Sequence, residues 1–192
     1  HMGLMAVAFG VGGPLGVTAG LLHLVNHAAT KALLFFVTGE LVQKYGNRRI
    51  SAIRGAMRVA PLAGWALLIG ILAITGAPPF GIFVSEIALV GAGFQGEWTA
   101  IAAVSAVVVL LGVIFAGLLM HALRVGYGTP PASLAAAHDG HAAVRSDWRG
   151  QATTLVALAP LAAVMVWFGV HVPASVEQLL DDVAAVLGPV AR

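Results

Sequence analysis

Long apolar runs separated by short polar segments set the pattern of this chain. The longest run extends from Val59 to Gly96 and holds one charged residue, Glu86. As a single helix it would measure about 57 Å at about 1.5 Å per residue, nearly twice a bilayer core of about 30 Å. Its middle, TGAPPFGIFVSE from Thr75 to Glu86, argues against a single helix. Gly76, Pro78, Pro79 and Gly81 interrupt it there, because proline lacks a backbone donor and clashes with the preceding turn. Each half is too short to cross alone, since a span needs about 20 residues. The run therefore predicts one transmembrane helix broken in its middle, with a carboxylate just beyond the break. Broken helices that carry a buried acid are where ion paths tend to lie.

The remaining runs predict further crossings. His1 to Val11 reads as the end of a helix stopped by Gly12, Gly13 and Pro14, too short to span and expected to continue a longer upstream sequence. Leu15 to Val42, Thr99 to Leu123 and Ala152 to Val170 are each long enough to cross. The tail from His171 places Val176, Leu179, Leu180 and Val183 at helical spacing opposite Glu177, Asp181 and Asp182, which predicts an amphipathic helix on the outer surface. Basic residues order the crossings. Lys44, Arg48, Arg49, Arg54 and Arg58 fall in one loop, and Arg145 and Arg149 in another, whereas the GFQGEW loop has none. The basic loops are cytoplasmic by the positive-inside rule, and the alternation agrees with every crossing.

Composition sharpens the class. Of 192 residues, 59% are hydrophobic and 9% charged, with a mean hydropathy of +0.94. Soluble domains carry about 25% charged residues. The expectation is an all-α, polytopic transmembrane helix bundle in the inner (plasma) membrane, with one discontinuous helix and the lipid bilayer as its surroundings. It divides into residues 1–126 with the break at 75–81, a cytoplasmic loop at 127–150, and a last span with its tail at 151–192. Cysteine is absent, which excludes disulfides, cysteine-ligated zinc and iron–sulfur clusters on this chain. A formal charge of +2 gives no footing for nucleic acid. No nucleophile–base triad, phosphate loop or dinucleotide fingerprint occurs, so no active site, cofactor or metal is expected on this chain.

The chemistry gathers on the span before the break. His23, His27 and Lys31 stand at i, i+4 and i+8; steps of four residues rotate by about 400°, so all three share one helix stripe, each about 6 Å further along. That is the spacing of a hydrogen-bonded proton relay, direct or through water. Histidine titrates near neutrality and both accepts and donates a proton. Lys31 lies about 20 Å of helix from the basic loop, too deep to snorkel easily, so its proton affinity responds to neighbouring charges. Glu86 lies at similar depth on the next helix, placed either to pair with Lys31 or to exchange stabilisation with it. His121, near Arg124, reads as an interfacial anchor or a point of proton access. Glu40, one turn before Lys44, is most simply a helix-end ion pair. Asn26 and Thr30 flank the stripe and are expected to satisfy neighbouring backbone. A metal site at His138 and His141 is not expected.

These residues carry a resemblance. HLVNHAATKALLFFVTGELVQKYGNRRISAIRGAMRVAP, followed by LAITGAPPFGIFVSE, resembles the antiporter-like membrane subunits of respiratory complex I, Mrp sodium/proton antiporters and membrane-bound hydrogenases. The GAPPFGIFVSE wording and the VPASVEQLLDD tail are most similar to the F subunit of hydrogenase-4 and formate hydrogenlyase, and HMG matches a motif in the preceding helix. The resemblance implies the C-terminal part of a fourteen-helix fold built from two inverted repeats. It implies that Glu86 is the charge of the second broken helix, on the proton-exit side, with His23, His27 and Lys31 on the polar axis before it. It implies a membrane subunit of a redox-driven oxidoreductase complex that translocates protons beside other membrane subunits of a hydrogenase or NADH dehydrogenase-like assembly. The alternatives are an Mrp-type cation/proton antiporter subunit or a non-conducting structural membrane fragment.

Overall fold

The computed structural model describes residues 1–132, 134 and 148–187, the side chains of 148–153 and 187 excepted. His138, His141 and Arg145 lie outside the described residues, as does the side chain of Arg149. The helices are α1 (Met2–Val11), α2 (Gly13–Tyr45), α3 (Ala56–Val59), α4 (Pro61–Ile74), α5 (Gly81–Gln95), α6 (Trp98–Tyr127), α7 (Trp148–Val170) and α8 (Ala174–Leu187), with a 3₁₀ turn at Ile50–Ala52. No strand occurs among the described residues.

The 33-residue α2 is the axis of the bundle, packed against α1, α4, α5, α7 and α8. The α1–α2 stop is shorter than expected: Gly12 alone separates the two helices, at φ 70, and Gly13 and Pro14 already belong to α2. Proline fits there because the first turn of a helix has no use for its missing N–H. At the far end, Tyr45 Oη donates to Arg54 O at 2.6 Å, and Gly55 lies against Gly128 and Pro130. The segments following α2 and α6 thus meet at one end of the bundle, as the expected sidedness requires.

Along α2 the core is layered. Leu33, Val37 and Leu41, at successive turns, pack with Ala56, Ala63, Leu158 and Met165 toward the basic end. Ala19 packs with Leu4, Ala8 and Leu89 toward the other. Between the two apolar clusters lie His23, Asn26 and Thr30, joined by Ser85 of α5, all at 1% exposure or less.

The expected broken helix is present as α4 and α5, of 14 and 15 residues, about 21 and 22 Å long. The backbone freed between them is satisfied locally. Gly76, at φ 67, lets Ala77 N–H donate to Leu72 O at 3.0 Å and Gly76 N–H to Ala73 O at 3.3 Å, the paired bonds of a Schellman cap. Thr75 Oγ1 also donates to Leu72 O at 3.1 Å.

The end of the chain departs from expectation. Gly169, near the end of α7, packs so closely on Pro79 O and the Phe80 carbonyl carbon that a Cβ would overlap them. The helix therefore ends against the α4–α5 break, midway through that crossing, instead of at the outer surface. From there the chain bends by 74° into α8. This helix does not rest on the outer surface alone: Leu180 and Ala184 are buried, and Thr18 Oγ1 of α2 donates to Asp181 Oδ1 at 3.5 Å. Its apolar face finds α2, so α7 and α8 form a bent helix pair docked on that axis. The cysteine-free sequence makes this testable: Thr18→Cys with Asp181→Cys should be joined by a short thiol cross-linker in membranes. Absence of the cross-link, with both thiols reactive, would show that α8 is undocked.

Candidate functional site

The polar layer of α2 meets the helix break through two cross-helix bonds. Asn26 Nδ2 donates to Gly81 O at 3.0 Å, tying α2 to the first residue of α5. One turn along, His23 Nδ1 lies 2.8 Å from Ser85 Oγ, which also reaches Ile82 O at 2.8 Å. Asn26 therefore does more than satisfy its own backbone; Thr30 does only that, donating to Asn26 O at 2.8 Å.

The other ring nitrogen of His23, Nε2, is 3.0 Å from His1 Nδ1. The His1 ring stacks at 5.2 Å from that of His23, 5.0 Å from His27 and 5.4 Å from Phe115, and the rings of His23 and His27 are 6.3 Å apart. Three imidazoles from α2 and the start of α1 are thus gathered in one place, two of them in direct hydrogen-bond contact. His1 was given no role by its spacing, since it is remote in sequence from the stripe; the HMG motif was the signal that pointed to it.

Lys31 does not join the cluster in the way the stripe suggested. It is exposed on this bundle, its Nζ 6.0 Å from the centre of the Phe35 ring one turn on. Of the two relations open to Lys31 and Glu86, a direct ion pair is not formed. Among the described residues Glu86 has no ion-pair partner, and its Oε1 is buried without a hydrogen bond. The reason is geometric: Glu86 turns away from α2, and its other oxygen presses against Gly76 at the end of α4. Its carboxyl borders a cavity of about 270 Å³ between α1, α5 and α6, walled by apolar residues that include Leu4, Val104, Val108, Leu111 and Phe115. A carboxylate oxygen buried without a partner beside apolar walls is costly unless it is met by a mobile proton, cation or water.

His121 and Glu40 stand apart from this site. His121 is exposed, and its Nδ1–H donates to Gly117 O at 2.8 Å, one turn back on its own helix, so it is not joined to the histidine cluster. Glu40 does not pair with Lys44: its Oε2 is buried without a partner, while Lys44 remains on the exposed face. No group of three His, Cys, Asp or Glu among the described residues is arranged to hold a metal ion.

What this arrangement resembles is decided by comparison with known proteins. Residues 1–112 match the NADH:quinone oxidoreductase/Mrp antiporter transmembrane family, and the match takes in the histidine cluster, the break and Glu86. The chain belongs to that family. Among curated relatives of this antiporter-family chain is the hydrogenase-4 component F homolog of Methylacidiphilum infernorum, 36% identical over 131 residues, which cover 68% of this chain and 27% of the relative. Another is NAD(P)H-quinone oxidoreductase chain 5 of Picosynechococcus sp., 36% identical over 106 residues, 50% of this chain and 16% of the relative. A chain of the solved Mrp complex from Dietzia sp. DQ12-45-1b superimposes with a TM-score of 0.64 at 25% identity, over 94% of this chain and 39% of that one. The antiporter-family chain thus corresponds to less than a third of the curated relatives and to well under half of the structural one. The family places it among multi-pass membrane proteins, as its apolar helices require.

Gly76 is where cap and carboxyl meet, so it provides the test of this geometry. Gly76→Ala places a methyl into the Glu86 carboxyl and a Cβ at positive φ. The expected loss is about 1–3 kcal/mol of stability, read as earlier thermal unfolding of the purified protein. An unchanged transition would count against the contact.

Proposed function

We propose that this chain carries protons through the membrane arm of a redox-driven complex of the hydrogenase-4 or NADH:quinone oxidoreductase type. The observation that supports this reading most is the gathering of His1, His23 and His27, the first two in hydrogen-bond contact, beside the helix break that Ser85 and Asn26 tie to α2. Imidazoles in contact at that depth can hand on protons without a bulk water column. Glu86, on the far side of α5 in its apolar cavity, is the group that receives the proton and releases it outward. The two sites share α5, so a change of charge at one alters the field at the other. Lys31, exposed on α2 deep within the crossing, would be costly against lipid. That supports a further membrane helix of the same complex over that face.

A second reading is favoured by the likeness to the Mrp complex chain. In it the Glu86 cavity takes a monovalent cation in exchange for protons, and no redox partner is involved.

The test uses the intact complex in inverted membrane vesicles. Glu86→Gln keeps the shape and removes the exchangeable proton. Proton translocation is expected to fall by about 10²-fold or more while electron transfer continues in part, as measured with a pH-sensitive dye. Undiminished translocation in this variant would refute the role of Glu86. Sodium-dependent proton flux in the absence of electron donors would favour the second reading.

A further inference from the structure

Ser85 is fully buried on α5, one residue before Glu86, and its hydroxyl sits between two acceptor-capable neighbours. Ile82 O is 2.8 Å away and His23 Nδ1 is 2.8 Å away. A hydroxyl has one hydrogen to give and lone pairs to receive with. With its hydrogen on the Ile82 carbonyl, one turn back along α5, it must receive the N–H of His23. Neutral His23 then carries its proton on Nδ1, and its basic lone pair is on Nε2, 3.0 Å from His1 Nδ1.

We infer that Ser85 is a positioning residue that fixes the tautomer of His23, turning the proton-accepting nitrogen toward α1 and away from α5. The inference rests on the relay reading above and adds a direction to it. A proton on cationic His1 moves along one hydrogen bond: the N–H bond at His1 Nδ1 breaks as the bond at His23 Nε2 forms. His1 is left neutral, and His23 becomes the imidazolium with its Nδ1–H still held by Ser85. The Ser85 bond is the same before and after transfer, so α5 need not rearrange for the proton to move. Ser85 does not pass the proton on, because its own hydrogen points at a peptide carbonyl, which is not a proton carrier. Sequence adjacency of Ser85 and Glu86 is therefore not a proton path. Exchange with the rest of the cluster runs on the His1 and His27 side. Without the hydroxyl, His23 would be free to put its proton on Nε2, facing His1 as a donor and closing its lone pair to it.

The experiment is nitrogen NMR of the full-length protein in lipid vesicles with ¹⁵N-labelled histidine, the His23 signals assigned by their loss in His23→Gln. Wild type is expected to show neutral His23 protonated on Nδ1. Ser85→Ala should populate the Nε2–H tautomer and slow translocation by the intact complex about tenfold, the scale of one lost hydrogen bond. Ser85→Thr, which keeps the hydroxyl, should restore the wild-type tautomer and rate. An Nε2–H tautomer in wild type overturns the inference, even if the variants fail to fold. So does Ser85→Ala with tautomer and rate unchanged. If Ser85→Ala shifts the tautomer while Glu86→Gln leaves translocation intact, the relay reading fails and the tautomer assignment stands. If Glu86→Gln is inactive and Ser85→Ala is silent, only this inference falls.

Discussion

A chain that breaks a helix inside a bilayer must find partners for the backbone groups it frees, because lipid offers none. Here that constraint is met mainly by Gly76. Its positive φ closes the Schellman cap on Leu72 O and Ala73 O, which gives two of the last carbonyls of α4 a partner. A residue with a side chain would strain this cap. The same missing Cβ opens the space against which the Glu86 carboxyl lies. The condition for breaking the helix and the condition for seating its charge are thus one glycine. Gly169 of α7 completes the setting from outside, by packing directly on the Pro79–Phe80 backbone.

The break would still be loose without α2. Asn26 and His23 reach across to Gly81 and Ser85, and with Thr30 they and Ser85 form the polar layer between two apolar clusters. The apolar layers make the polar one rigid: Leu33, Val37 and Leu41 on one side and Ala19 on the other hold α2 in a single rotation, so its polar stripe faces α5 and α1. Buried polar groups in a low-dielectric setting are worth most when all are satisfied. Two oxygens in and near this layer are not, Asn26 Oδ1 and Glu86 Oε1, and they flank the break.

How far the sequence discloses this depends on whether a feature is local. The break was legible because proline and glycine act on their own turn, and the stripe because helical periodicity places His23 and His27 on one face. Periodicity does not say which neighbour a face meets. It could not bring His1 to His23 across 22 positions, nor choose Ser85 over Glu86 as the residue of α5 that touches the stripe. It extended the stripe to Lys31, although the side chain of that residue is exposed on this bundle. The docking of the last two helices was not legible for a related reason. Hydropathy measures how apolar a segment is, not where its end packs, and Gly169 could be recognised as a contact only once Pro79 stood beside it. Glu40 and Lys44 have the spacing of an ion pair, but one of the Glu40 oxygens lies inside the bundle.

The separation of the two charge-bearing regions follows from how α5 is used. Ser85 and Glu86 are consecutive, so their side chains leave the helix about 100° apart. One meets the histidine cluster on α2, and the other enters the cavity that α1 and α6 wall off. A salt bridge from Lys31 to Glu86 would have locked α5 to α2 with a fixed charge pair, and such pairs in low dielectric resist rearrangement. Neutral hydrogen bonds from Asn26 and His23 hold the same two helices together and leave the carboxyl uncommitted. The helix that carries Glu86 is therefore held to α2 by bonds from Asn26 and His23 to Gly81 and Ser85, while Glu86 itself has no ion-pair partner among the described residues.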